Sequence, residues 1–117
     1  MRFMMIMIPD VAADADWTPD REDVAEMGKF NDELTKAGVL LGVDGLESPA
    51  KGARVAFAGG KPSVTDGPFT EAKEVIGGYW LIQARSKEEA VEWASRCPAS
   101  DGDVIEVRQV YDVPDYD

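Results

Sequence analysis

The chain has 117 residues, 12 basic and 23 acidic, with a formal net charge of −11 and no histidine. This length predicts one domain over residues 1–117, with a loose acidic tail at 112–117. The charge argues against nucleic acid and anionic membrane surfaces as partners, because both repel a negative protein. Without histidine, any acid-base chemistry rests on carboxylates, Lys or Tyr.

Cysteine content and the N-terminal residues bear on the compartment. A single cysteine, Cys97, allows no internal disulfide, and we interpret it as a small buried hydrophobic residue rather than a reactive thiol. The apolar run at residues 3–8 is too short to span a membrane, and the acidic region at 10–16 is unlike a signal-peptide cleavage site. We therefore predict a cytoplasmic protein.

The first elements are a strand and a helix. Residues 2–8 are apolar on both alternating faces, which predicts a strand covered on both sides. Thr18 and Pro19 predict a helix N-cap and first turn, and Gly38 predicts the end of the helix. The residues expected on its apolar face are Val24, Met27, Phe30, Asn31 and Leu34.

The middle of the chain alternates strand and turn signals. Strands are predicted at residues 39–43 and 54–58, and Gly59-Gly60 predicts a hairpin turn into residues 61–65, so that 54–65 forms a short antiparallel arm. A further strand is expected at 75–84. Ser86 and Glu89 then form the capping box of a second helix that Pro98 ends, and residues 104–110 make the last strand.

This order of elements predicts a ferredoxin-like α+β sandwich with an extra hairpin. Two helices cover only one face of its sheet, and the other face is also apolar along residues 3–7 and 79–82. A second copy of the chain is the simplest cover for that face. We therefore predict a homodimer that closes sheet on sheet.

Residues 66–74, DGPFTEAKE, place three carboxylates, a lysine and an aromatic between two strands. One interpretation is a turn with solvated charges, in which Gly allows positive φ and Pro fixes its own φ. The other is a rigid loop that directs charged side chains at one spot: Asp66, Glu71, Lys73 and Glu74. A divalent cation held by the three carboxylates is a weaker alternative.

Glu106 and Arg108 share one face of the last predicted strand, opposite Ile105 and Val107. Structural pairing of the two charges is one explanation. Alternatively, Arg108 faces a cleft and binds a carboxylate or phosphate of a ligand.

The DGPFTEAKE segment resembles the motif of the YCII-related, or DGPF-motif, family, which has the same Asp-Gly-Pro-Phe and a following Glu-x-Lys-Glu. The likeness extends to RFMMIMI, LTKAGVLL, VIGGYWLI, SRCP and DVIEVRQV. It implies a dimeric α+β barrel with a cleft between sheet and helices, lined by Asp66 with Glu71, Lys73 and Glu74 close by. Some relatives carry a His-Asp pair proposed for catalysis, which this chain cannot form.

Three hypotheses follow. In the first, the chain binds or transforms a small molecule in a cleft lined by the motif, with Asp66 as the candidate catalytic residue and Glu71, Lys73, Glu74 and Arg108 as ligand-binding residues. The alternative is a noncatalytic accessory or regulatory module that acts through protein partners, as in relatives that resemble partners of alternative sigma factors. In the third, the motif serves folding alone. The sequence indicates no cofactor and no metal site, and it leaves open whether the protein is an enzyme.

Overall fold

A computed structural model describes residues 1–12, 14–67 and 75–114. Within those residues the fold is α+β, with six strands in two antiparallel sheets and two α-helices. The elements in chain order are β1 (Arg2–Ile8), α1 (Arg21–Lys36), β2 (Leu40–Gly45), a short 3-10 turn (Pro49–Lys51), β3 (Ala53–Ala58), β4 (Lys61–Asp66), β5 (Gly78–Gln83), α2 (Lys87–Ser95) and β6 (Val104–Gln109). The predicted order of strands and helices is therefore confirmed, and the bounds shift by a few residues.

Four strands form the main sheet in the order β2-β5-β1-β6. In β1, Phe3 lies opposite Ile82 of β5 and Met5 lies opposite Trp80. These four side chains point to the face that both helices cover, and they are almost completely buried. The apolar run at the start of the chain thus becomes a central strand because it has a hydrogen-bonded neighbour on each side.

The core lies between this face and the two helices. Phe30 and Leu34 of α1 and Ala90 of α2 pack against the four buried strand residues. The rings of Phe30 and Trp80 meet edge to face, with centroids 5.8 Å apart and planes at 84°. The indole N–H of Trp80 donates a 2.7 Å hydrogen bond to Asn31 Oδ1, so the polar end of this buried side chain is satisfied.

The start of α1 differs from the prediction. Its N-cap is Asp20, whose carboxylate accepts a hydrogen bond from the Glu22 amide, and not Thr18. Thr18 lies in the preceding loop, where its own amide donates to Asp16. Val24 is exposed, so its expected place on the apolar face is wrong, whereas Gly38 follows the helix at φ +75° as predicted.

The cap of α2 is confirmed in part. The Ser86 hydroxyl accepts a hydrogen bond from the Glu89 amide at 3.1 Å, as the capping box predicts. The Glu89 carboxylate, however, accepts from the amide of Arg85 rather than from that of Ser86. Cys97 follows this helix and is half-buried against the core, which agrees with its interpretation as a small hydrophobic residue.

Strands β3 and β4 form a separate two-stranded sheet, which we call the hairpin arm. Gly59 and Gly60 make its turn with φ of +58° and +77°, values that glycine adopts without strain. Every residue of both strands is exposed. The predicted antiparallel arm is thus confirmed, and it stands apart from the main sheet.

The second face of the main sheet, which we call the open face, carries Met4, Ile6, Ile8, Tyr79, Leu81, Val104, Glu106 and Arg108. The apolar side chains on β1 and β5 are half-buried there, because no helix of this chain crosses them in the described ranges. We expected both faces of β1 to be covered. Within one chain, only the face towards the helices is covered in the described ranges. Neither described helix is both long and apolar enough for a membrane span.

Candidate functional site

The DGPF motif begins at the end of the hairpin arm. Asp66 is the last residue of β4, pairs with Ala53 and is exposed. The amide of Gly67 donates a 2.9 Å hydrogen bond to the carbonyl of Gly52. Residues 68–74 lie outside the described residues, so the predictions for Glu71, Lys73 and Glu74, and for a cation between them and Asp66, stay predictions.

The structure requires glycine at position 67, but not for the positive φ that the sequence led us to expect. Its φ is not positive. A Cβ there would instead overlap the carbonyl oxygen of Pro49, in the short turn before β3. The motif glycine therefore permits a close approach of two backbone segments, which any larger residue prevents.

Arg108 lies on the open face of β6, opposite Met4 of β1. Its guanidinium is 3.9 Å from Glu106, and both side chains are largely exposed. This geometry agrees with the explanation by structural pairing. Arg108 belongs to the four-stranded sheet and Asp66 to the two-stranded sheet, and their convergence on one cleft stays a prediction.

A cleft of about 660 Å³ lies at one end of the main sheet, and we call it the end cleft. Its walls come from the end of β1 and the following loop, the end of β2, Gly77 before β5, the loop that precedes α1, and the loop that precedes β6. Neither Asp66 nor Arg108 lines it. No residue predicted as a site residue from the sequence lies in its described lining.

Backbone hydrogen bonds fix the floor of the end cleft. The amide of Gly77 donates to the carbonyl of Met7 at 2.8 Å, and the amide of Leu46 donates to the carbonyl of Gly77 at 2.9 Å. Pro9 lies so close to Gly77 that a Cβ at position 77 would come within 3.1 Å of the proline ring. Three chain segments therefore meet tightly at this end of the sheet.

Side chains order the loops around the end cleft. Asp103 accepts hydrogen bonds from the amides of Asp10 and Ser100, both at 2.9 Å, and so joins the loop after β1 to the loop before β6. The indole N–H of Trp17 donates to the carbonyl of Ala12 at 3.1 Å, which holds its ring in the wall. Hydrogen bonds from Thr18 lower the pKa of the Asp16 carboxyl.

The lining of the end cleft is strongly acidic. It includes six carboxylates and, among the described residues, neither lysine nor arginine. The six are Asp10, Asp16, Asp23, Glu47, Asp101 and Asp103. Trp17, Met7 and Leu46 add apolar surface between them. Such a lining favours a ligand that combines positive charge with an apolar body, because carboxylates attract cations and repel anions.

A sequence signal for this cleft exists. Five aspartates fall within residues 10–23 around the single tryptophan of that segment. In the sequence, the acidic region at 10–16 argued only against a signal peptide. No local sequence pattern marks the loops before β5 and β6 as part of the cleft. Residues 77 and 100–103 reach it because the pairing of the strands brings these loops together.

The chain on the two sides of residues 68–74 is related to the end cleft in different ways. Gly67 contacts Pro49, which is two residues after the lining residue Glu47. On the other side, Val75 is buried and Gly77 lines the cleft. The chain that follows residues 68–74 therefore reaches the end cleft, and the chain before them is in contact with the turn that comes after Glu47.

Nucleophilic and metal chemistry find little support in the described part of the chain. Burial raises the pKa of the Cys97 thiol to about 11, with a further contribution from Asp103, so the thiol is protonated at neutral pH. Residues 1–12, 14–67 and 75–114 contain no group of three or more Cys, Asp or Glu side chains arranged to hold a metal ion.

Comparison with known proteins gives two similarities. The YCII-related domain matches residues 1–114 of this chain, which is nearly its whole length. An uncharacterised protein of Rhizobium meliloti (strain 1021) is 26% identical over 96 residues, which cover 80% of this chain and 77% of that protein. The resemblance drawn from the DGPFTEAKE segment is thereby confirmed.

Proposed function

We propose that this chain, which belongs to the YCII-related domain family, binds a small, positively charged organic molecule in the end cleft. The composition of the cleft lining carries the proposal: six carboxylates and an indole, with no basic residue among the described lining residues. The volume of about 660 Å³ falls within the range of roughly 300–1,000 Å³ that is usual for small-molecule sites.

The chemistry of recognition follows from the lining. An ammonium group of the ligand donates charge-assisted hydrogen bonds to carboxylates that are not already occupied, with Asp23 and Asp101 as the first candidates. Asp103 is a poorer candidate, because both of its oxygens already accept backbone hydrogen bonds. The ring of Trp17 offers a face for the apolar body of the ligand or for the cation itself.

The DGPF motif enters this proposal as a border of the end cleft. The support is that Gly77, after the segment, lies in the wall of the cleft, and that Gly67, before it, contacts Pro49, two residues after the lining residue Glu47. Glu71, Lys73 and Glu74 are then ligand-binding candidates, and Lys73 would balance part of the acidic charge. The catalytic role of Asp66 stays a prediction, and the proposal concerns binding.

A pair of probes of equal size but opposite charge tests the proposal. Phenethylamine is a cation at pH 7 and phenylacetate is an anion. We expect phenethylamine at saturating concentration to raise the melting temperature by about 4 °C or more and to change the tryptophan fluorescence, and phenylacetate to do neither. Equal shifts with both probes, or no shift with phenethylamine, would reject a site selective for cations.

We also propose that the protein assembles as the predicted homodimer, a ferredoxin-like dimeric barrel. The strand order β2-β5-β1-β6, with a helix after β1 and another after β5, supports the ferredoxin-like description. The half-buried side chains of Met4, Ile6 and Leu81 on the open face support pairing with a second copy. Light scattering at micromolar concentration checks this, and a monodisperse monomer would count against it.

The alternative function, a noncatalytic module acting through protein partners with a link to sigma-factor regulation, stays a prediction. A pulldown that recovers one specific protein partner, together with no response to either probe, would favour it over ligand binding.

A further inference from the structure

We propose that the ligand of the end cleft is a linear diamine, a molecule with a positive charge at each of its two ends. The inference rests on the cation binding proposed above and adds the number and the spacing of the charges. It follows from the way the six carboxylates of the lining divide. They come from two sides of the main sheet, with uncharged surface between them.

Three of the carboxylates lie together beside the start of β6. The carboxylate of Asp103 accepts hydrogen bonds from the amides of Asp10 and Ser100, which joins the loop after β1 to the loop before β6. The carboxylate of Asp10 lies so close to Gly102 that a Cβ at position 102 would overlap it. Asp101 lines the cleft from the same loop. We call Asp10, Asp101 and Asp103 the β6 group.

The other three carboxylates lie on the side of β2. A smaller hollow of about 430 Å³ adjoins the end cleft, and both linings include Asp16, Trp17 and Glu47. Asp16, in the loop before α1, is therefore near Glu47, which follows β2. Asp23 lies in the first turn of α1, the helix that packs against β2. We call Asp16, Asp23 and Glu47 the β2 group.

The strand order keeps the two groups apart. In the order β2-β5-β1-β6, β2 and β6 are the edge strands, and β1, which leads to Asp10, is next to β6. Because neighbouring strands lie roughly 4.8 Å apart, the strands that carry the two groups are separated by roughly 10–14 Å. The central strands β5 and β1 place Gly77, Met7 and Pro9 between the groups. The middle of the described lining is therefore uncharged.

This division fits a ligand with one ammonium group at each end and an apolar chain between them. A single ammonium group cannot contact both groups, since charge-assisted hydrogen bonds are short. Each group keeps an available acceptor, because the carboxylates of Asp23 and Asp101 accept no hydrogen bond from the described residues. Glu47 is a poorer acceptor, because Lys51 already pairs with it at 3.1 Å. A carboxylate at one end of the ligand would instead be repelled by the nearer group.

Titration calorimetry of the full chain with three linear amines tests the inference. Octamethylenediamine carries two charges on a long chain, octylamine carries one charge on the same chain, and putrescine carries two charges on a shorter chain. We expect octamethylenediamine to bind at least about tenfold more tightly than either of the others, because it alone reaches both groups. An equal Kd for octamethylenediamine and octylamine, or for the long and the short diamine, would overturn the inference.

One substitution in each group assigns the two contacts. We expect Asp23→Asn and Asp101→Asn each to reduce the advantage of octamethylenediamine over octylamine to about twofold or less. Asp32→Asn, on α1 outside the cleft, removes the same charge and should leave that advantage unchanged. Near-UV circular dichroism of the tryptophans checks that the variants retain the folded core. An advantage that falls equally in Asp32→Asn would indicate a general effect of net charge and would overturn the inference.

The same measurements separate this inference from the proposed function. If phenethylamine and octylamine bind but the long diamine has no advantage, the inference is overturned and the site for a single cation stands. If phenethylamine, octylamine and both diamines all fail to bind, the proposed function and the inference are overturned together.

Discussion

The carbonyl oxygen of Pro49 lies where a Cβ of residue 67 would have to be, so the backbone of Gly67 is in direct contact with the turn that precedes β3. A hydrogen bond from the Gly67 amide to the Gly52 carbonyl closes the same contact. The second residue of the DGPF motif thus joins the end of β4 to the start of β3. The backbone at the start of the motif is therefore held against the turn that precedes β3.

Gly67→Ala is expected to lower the free energy of unfolding by about 1–3 kcal/mol, because the new methyl group displaces backbone that cannot move independently. Gly28→Ala is the matched control. Gly28 is in the interior of α1 with open space around its Cβ position, so that change should raise stability by up to about 1 kcal/mol. Urea unfolding followed by circular dichroism measures both, and a neutral Gly67→Ala would contradict the contact with Pro49.

Asn31→Ala is expected to cost about 1–3 kcal/mol of stability, because it leaves the indole N–H of the buried Trp80 without its hydrogen-bond acceptor. Asp32→Ala, at the next and exposed position of α1, should change stability by less than about 0.5 kcal/mol. Urea denaturation provides both values. Equal costs for the two variants would mean that the Asn31–Trp80 hydrogen bond adds nothing.

The Cys97 thiol should make stability depend on pH in the alkaline range. Its pKa is raised in the folded protein from 9.0 to about 11, so the native state holds the proton more tightly than the unfolded chain does. This contribution is complete below pH 9 and is lost as the pH rises towards about 11. The difference in melting temperature between the wild type and Cys97→Ala should shrink across that range, and a difference independent of pH would contradict the shift.

The acidic lining of the end cleft should decide the response to a cationic probe. We expect Asp23→Asn to reduce the affinity for phenethylamine about tenfold, by removing one charge from the lining. Asp32→Asn makes the same change on α1 outside the cleft and should leave the affinity unchanged. Titration calorimetry supplies both Kd values. Equal losses would indicate a general effect of net charge instead of a site.

Much of the fold was predictable from local signals. Gly59-Gly60 predicted the hairpin turn because only glycine adopts two successive positive φ values without strain. Ser86 predicted the start of α2 through a hydroxyl that caps the Glu89 amide. The cap of α1 was placed at Thr18 rather than Asp20, because Thr-Pro and Pro-Asp give overlapping signals and the choice depends on how the loop from Asp16 packs.

The candidate site was less predictable, because its parts are distant in sequence. The loop after β1 and the loop before β6 meet through the carboxylate of Asp103, and neither loop carries a motif. The predicted site residues Asp66 and Arg108 lie on different sheets of the protomer, and their place at one cleft stays a prediction. The local sequence shows which residues a loop contains. The pairing of the strands determines which loops lie next to each other.

By itself, the sequence determined the order of strands and helices, the family and the hairpin turn, because each depends on residues close together in the chain or on one contiguous motif. Only the tertiary structure decided where the acidic loops gather, because antiparallel pairing brings residues 10, 47, 77 and 103 to one end of the sheet. It also decided the role of Gly67, since the contact with Pro49 exists only once β3 and β4 have paired.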